Sequence, residues 1–305
     1  MASVFHSLSG LPLLLGHKIN HSALTIALLS AVILNIGCES ADPAVEVPAY
    51  ISVTAFNLQT DYATEGTDDH NISDVWVLVG DQDVGAYELP AVIPVIASGS
   101  QEVHLLPGIK VNGISSTRDI YNFIDGAVST ETLVPGSTVS ISPKVNYYSD
   151  ITFEWLEDFE IGSTLQKLSI SDTDITVESV TSLPAMGSKS GVIHVDATND
   201  YYIGATNGKQ FVLPLGLPVF IELNYASTIE FSIGAIKKTT QGAESLSPFF
   251  NIFPSGDWNK IYIDLTPYLQ SHVDALSFEI YFTCTYDPTV PVNRVLLDNI
   301  KLIYQ

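Results

Sequence analysis

Three carboxylates have the type and spacing for hard-cation chemistry. In the C-terminal stretch RVLLDNIKLIY, Leu296, Asp298, Ile300, Leu302 and Tyr304 share one parity, so an extended strand points them to one face. Four of the five are apolar or aromatic, which predicts the buried face. Asp298 is then a carboxylate on an apolar row, and a buried charge needs hydrogen bonds or a cation. Asp158 and Glu160, in FEWLEDFEIG, also share one parity. Together the three can supply hard oxygen ligands for a structural Ca2+. The alternative is an aspartate that accepts backbone N–H bonds at a strand end.

Aromatic residues offer a second kind of chemistry, because Tyr and Trp faces stack on sugar rings while their polar tips stay wet. Tyr201 and Tyr202 follow the turn-like ATND, and Trp155 lies in the FEWLEDFEIG segment. These three are the expected ligand-binding residues, set against the fact that most aromatics in a β-sandwich form core or cross-strand pairs. Cys284 alternates in register with Leu276, Phe278, Ile280 and Phe282, which makes it a small buried hydrophobe rather than a nucleophile. The histidines after residue 38 are His70, His104, His194 and His272, and none falls in a zinc spacing. There is no G-x-S-x-G, no Gly-rich phosphate loop and no S-x-x-K. The expectation is a protein that is not an enzyme.

Charge removes other function classes. All 34 Asp and Glu follow residue 38, and one of the 12 Lys and Arg, Lys18, precedes it. The portion after residue 37 therefore carries a formal charge of −23. A nucleic-acid partner needs a basic footprint, and this chain has none. A polybasic grip on anionic lipid fails for the same reason.

Another route leads to a membrane. Residues 23–36, ALTIALLSAVILNI, form an apolar stretch of 14 that ends in Gly37-Cys38. About 20 apolar residues are needed to span a bilayer, whereas this length suits the apolar region of a signal peptide. The stretch Leu34-Asn35-Ile36-Gly37-Cys38 resembles the lipobox of bacterial lipoproteins, although Asn35 stands where the family usually has Leu. The resemblance implies a signal over residues 1–37, lipidation of Cys38 and an anchor in the outer membrane or at the cell surface. Residues 38–48 then form a short acidic tether, whose acids resemble the surface-export signals of Bacteroidetes lipoproteins.

From Tyr50 onward, short runs rich in Val, Ile, Thr, Tyr and Phe are broken by Gly, Pro, Asn and Asp, with no 3.6-residue apolar period. This predicts an all-β chain of two β-sandwich domains. Residues 49–147 read DVWVLVGDQDVGAYELP as two strands around a turn at Gly80-Asp81. With Val84-Gly85, Leu89-Pro90 and then Pro107-Gly108-Ile109-Lys110 after the turn, this half resembles PEGA-type and carboxypeptidase-regulatory-type sandwiches, which implies a spacer or adhesive role. Residues 150–305 open with FEWLEDFEIG and close with RVLLDNIKLIY. That half resembles the galactose-binding-like jelly roll of many carbohydrate-binding modules. The resemblance implies that its first and last strands lie side by side near a structural calcium, and that a glycan is the ligand. The expected function is thus a non-catalytic surface lipoprotein that binds glycan, or alternatively an assembly protein making protein contacts in the envelope.

Overall fold

The β-branched and aromatic runs fold as 21 strands, with two short helices among the described residues. The structure is a computed structural model, and it describes residues 46–305 apart from residues 181–186 and 207 and the side chains of residues 243–245. Cys38 and the apolar stretch before it lie outside the described residues. Among the described residues, no helix is long and apolar enough to cross a membrane.

The N-terminal half holds β1 (Ala49–Val53), β2 (Asn57–Gln59), α1 (Tyr62–Glu65), β3 (Asp74–Val79), β4 (Gln82–Glu88), β5 (Ala91–Val95), β6 (Gly99–Lys110), β7 (Arg118–Ile120), β8 (Ala127–Leu133), β9 (Thr138–Ile141) and β10 (Lys144–Asn146). Strands β4, β3, β6 and β7 form one sheet, with β8 also paired to β6, and β5, β1 and β9 form a second. The β3–β4 hairpin turns at Gly80-Asp81, as the sequence predicts, with Val79 opposite Gln82. Gly80 has φ 56°, a left-handed conformation that a side chain would strain. Ile51, Val75, Val77, Ile93, Val103 and Leu105 fill the core between the sheets.

The C-terminal half holds β11 (Thr152–Glu157), β12 (Gln166–Lys167), β13 (Ile175–Glu178), β14 (Ser190–His194), β15 (Tyr201–Ala205), β16 (Val219–Ser227), β17 (Phe231–Thr239), β18 (Gly242–Ile252), β19 (Ser255–Asp264), α2 (Thr266–Gln270), β20 (Ser277–Thr285) and β21 (Arg294–Tyr304). One sheet runs β13-β14-β21-β16-β19, with β11 also paired to β21, and the other runs β12-β15-β20-β17-β18. From β14 to β16, and again from β18 to β21, the chain crosses between the two sheets at each step, which makes this half a jelly roll. Its core includes Trp155, Phe159, Phe211, Leu223, Phe231, Ile233, Ile280 and Phe282. In β20 the row Phe278, Ile280, Phe282 and Cys284 faces this core as predicted. Leu276 departs from the row because it precedes the strand and is exposed.

The last strand departs from the expected single face. Asn224 pairs with Asp298, but Glu222 pairs with Lys301, so β21 carries one extra residue opposite β16. Asn299 sits there at φ 47°. This β-bulge reverses the alternation. Before it, Val295 and Leu297 face the core while Leu296 and Asp298 face out of the sheet. After it, Ile300 and Leu302 face the core and Lys301 and Ile303 face out. Asp298 therefore lies on the opposite face from Ile300 and Leu302.

The two halves meet over that outward face. Val111, just past β6, bridges Tyr262 of β19, and Asn112 donates its N–H to the Tyr262 carbonyl at 2.8 Å. Tyr262 and Ile303 belong to the N-terminal core, and Phe153 and Phe220 pack against it. Residues Val47–Gln305 form one compact unit.

Candidate functional site

Residues 60–72 cross the outward face of the larger jelly-roll sheet as a strap. Asp61 caps α1, its carboxylate accepting from the Ala63 N–H, and the Glu65 carboxylate accepts from the Asp61 N–H. The strap is then tied down by groups from the sheet. Lys301 Nζ donates to the Thr67 carbonyl at 2.7 Å and Lys260 Nζ to the Asp69 carbonyl at 2.8 Å. Asn224 Nδ2 donates to Asp69 Oδ2, and the Asn71 N–H donates to the Tyr262 hydroxyl.

The three predicted acids lie beside this strap. Asp298 is 0% exposed, with its carboxylate accepting from Ser190 Oγ at 3.0 Å and the Asn299 N–H at 2.8 Å. Burial pushes its carboxyl up to about 8, and the charges of Glu160 and Asp158 push the same way. Asp158 accepts from the Tyr62 hydroxyl at 2.9 Å and from the Glu160 N–H at 3.1 Å. Burial and these carboxylates raise the Tyr62 hydroxyl to about 12. Glu160 accepts from the hydroxyl and N–H of Ser188 and from the Lys189 N–H, which hold its carboxyl below the usual range. The acids thus share one electrostatic neighbourhood, but each is engaged by protein donors. Among the described residues, no three His, Cys, Asp or Glu are grouped to hold a metal ion. The donor arrangement as it stands does not fit a calcium cage.

The expected aromatic platform is corrected in two of its three members. Trp155 is 1% exposed, packs on Phe211 and donates its indole N–H to Thr164 Oγ1 at 3.0 Å. Tyr202 is 0% exposed within the jelly-roll core. Tyr201 and Tyr202 are neighbours in a strand rather than a loop, so their side chains point to opposite faces. Tyr201 alone reaches the outer face of the smaller sheet, half-buried against Ile203, Ala205, Ile236 and Tyr281. Tyr281 lies flat over Gly234, where a Cβ would stand 2.1 Å from its ring. Among the described residues, Ile203, Ala205, Ile236 and Tyr281 are buried on this face, and Tyr201, Leu168 and Leu246 are partly buried against them.

A cleft of about 350 Å3 opens instead along the seam between the halves. Val111, Ile120 and Phe123 from one side and Pro218 and Phe220 from the other supply apolar walls, while Thr117, Asp119, Asn122, Asp264 and Thr266 supply polar groups. The Asp264 carboxylate accepts from the Thr266 N–H and that of Asp119 from the Ile120 N–H, both at 2.8 Å. Among the described residues, the second oxygen of each makes no hydrogen bond.

Behind the cleft lies a buried ionic cluster that sequence reasoning missed. Tyr121 lines the cleft, and its hydroxyl donates to Glu222 Oε1 at 2.8 Å. Tyr147 donates to the same oxygen at 2.7 Å, and Lys260 Nζ lies 2.8 Å from Glu222 Oε2. Burial works against the Glu222 charge, but Lys260 and Lys301 outweigh it and hold the carboxyl at about 2. Lys301, itself bonded to the Tyr147 hydroxyl at 3.3 Å, is lowered to about 7, first by burial and then by Lys260. In VFIELNY the alternation of Phe220, Glu222 and Asn224 with apolar residues reads as a solvent face, so no local signal marks Glu222 as buried. The cleft residues come from segments about a hundred positions apart and carry no spacing signal either.

No protein-family model matches the chain, and no curated protein does. Among solved structures, the enzymatically active domain of tailspike protein 4 from bacteriophage CBA120 is similar at 16% identity and TM-score 0.34, over 48% of this chain and 20% of that one. The CBM22-1 xylan-binding domain of Paenibacillus barcinonensis Xyn10C is similar at 11% identity and TM-score 0.34, over 50% of this chain and 94% of its own. The family 11 carbohydrate-binding module of Clostridium thermocellum, solved with a β-1,3-1,4-mixed-linked tetrasaccharide, is similar at 15% identity and TM-score 0.33, over 48% and 92%.

Proposed function

We propose that this chain is a non-catalytic lipoprotein of the cell envelope that holds a glycan in the seam cleft. The cleft carries the reading. Its volume falls in the range of small-molecule pockets, roughly 300–1,000 Å3. It sets the half-buried Phe220 ring beside carboxylates, hydroxyls and an amide. A sugar ring needs that pairing: an apolar wall for its C–H face and polar acceptors for its hydroxyls. Among the described residues, no His, Cys or Lys lines the cleft, and each cleft carboxylate spends one oxygen on backbone, an arrangement suited to holding rather than activating a ligand. A glycan array with the soluble chain from Glu39 is expected to give hits that Phe220→Ala weakens about tenfold. An array with no hits sinks the proposal.

Anchoring belongs to the same reading, through the cysteine that follows the signal-like stretch. Cys38→Ser is expected to leave the protein unlipidated, since only a thiol takes the diacylglyceryl group. Metabolic labelling with a palmitate analogue that still marks the variant would exclude Cys38 as the anchor. The alternative, an envelope assembly role, draws on Val212, Leu215 and Leu217, three exposed apolar side chains within one connecting segment. Crosslinking of the anchored protein to another envelope protein through that segment, with an empty array, is the outcome that favours it.

A further inference from the structure

Resting on the glycan reading, we infer that the seam cleft selects uncharged sugar rings and rejects acidic ones such as uronates and sulfated saccharides. The cleft presents two carboxylates, Asp119 and Asp264, and among the described residues no Lys or Arg lines it. The neighbouring cation, Arg118, is committed to Asp74, Glu88 and the Ser115 carbonyl. The nearby ammonium of Lys260 is paired with Glu222 behind the cleft wall. An acidic sugar entering here meets two like charges without a cation to offset them, in a chain of net charge −22. One such repulsion at close range in partly screened surroundings weakens binding about tenfold.

A neutral ring meets the opposite situation. Its hydroxyls donate to Asp119 and Asp264, and hydrogen bonds to an ionised acceptor are the stronger kind. Asn122 and Thr266 add donors and acceptors on either side, and Phe220 receives the C–H face. Because the cleft walls come from both halves, an occupant also braces the seam.

Isothermal titration of residues 46–305 tests this with neutral oligosaccharides (gluco-, xylo-, manno- and galacto-series) against oligogalacturonate, oligoglucuronate and a sulfated oligosaccharide. Neutral ligands are expected to bind, with acidic ligands about tenfold weaker or more. The double variant Asp119→Asn, Asp264→Asn is expected to narrow that gap, and high salt to narrow it as well. Phe220→Ala, checked for an intact thermal melt, is expected to weaken neutral binding about tenfold. Acidic ligands that bind as well as neutral ones, and lose affinity in Phe220→Ala, overturn the selectivity while leaving the glycan reading in place. Neutral binding unchanged in both variants removes the cleft as the site and the inference with it. If no saccharide of either class binds, the glycan reading itself fails.

Discussion

Asn299 adopts a left-handed backbone conformation in the middle of the last strand, and that one residue decides where Asp298 points. Asn tolerates this conformation better than other residues with a side chain. The consequence is a carboxylic acid buried beside the strap, close to two more carboxylates, with its pKa pushed up to about 8. The native state then holds a proton that the unfolded chain has released between about pH 4 and pH 8, so stability falls as pH rises through that window. Asp298→Asn removes the penalty while nearly keeping size. In EGTA at pH 8, the variant is expected to melt above the wild type by the equivalent of a few kcal/mol, with the difference vanishing near pH 4. A calcium ion bound at Asp158, Glu160 and Asp298 reverses the result: millimolar calcium then raises the wild-type melt and leaves Asp298→Asn unmoved. Differential scanning calorimetry in EGTA and in calcium separates the two.

At the scale of elements, β16, β19 and β21 act together with the strap. Glu222, Lys260 and Lys301 stand on three adjacent strands of one sheet face, and the strap offers backbone carbonyls to both lysines. A buried ion pair is weak evidence of net stabilisation, but removing one partner strands a charge away from water. Lys260→Met is therefore expected to cost about 3–5 kcal/mol in denaturant unfolding. Glu222→Leu with Lys260→Met is expected to recover part of that loss, because both charges of the pair are gone while Lys301 loses its carboxylate and the Tyr121 and Tyr147 hydroxyls lose their acceptor. A single variant as stable as the wild type refutes a charged Glu222–Lys260 pair.

For the whole molecule, the seam decides what each half can do alone. Residues 150–305 have their own core of large apolar side chains, so the fragment is expected to melt cooperatively. It loses the strap over Glu222, Lys260 and Lys301 and the apolar cover over Tyr262 and Ile303. Its melting temperature is therefore expected to lie several degrees below that of residues 46–305, by roughly 2–4 °C per kcal/mol lost. It should also bind no ligand in the cleft, half of which is gone. A fragment that is insoluble with several choices of end argues for one inseparable sandwich pair, and one that matches the full chain in both respects removes the seam from the account.

The sequence by itself determined the all-β class, the Gly80-Asp81 turn and the buried rows of strands such as β20, because strand propensity, turn chemistry and period-2 alternation are local. It also determined that Cys284 is a small buried hydrophobe, and in the folded chain burial raises its thiol to about 12. Only the tertiary structure decided which face of β21 carries Asp298, since a bulge shifts register by one residue and leaves composition unchanged. It alone put Tyr202 and Trp155 in the core, made Glu222 a buried ion beneath the N-terminal half, and assembled the cleft from both halves. Those outcomes depend on which faces meet after folding, and a face that reads as solvent-exposed along one strand becomes interior when another part of the chain lies across it.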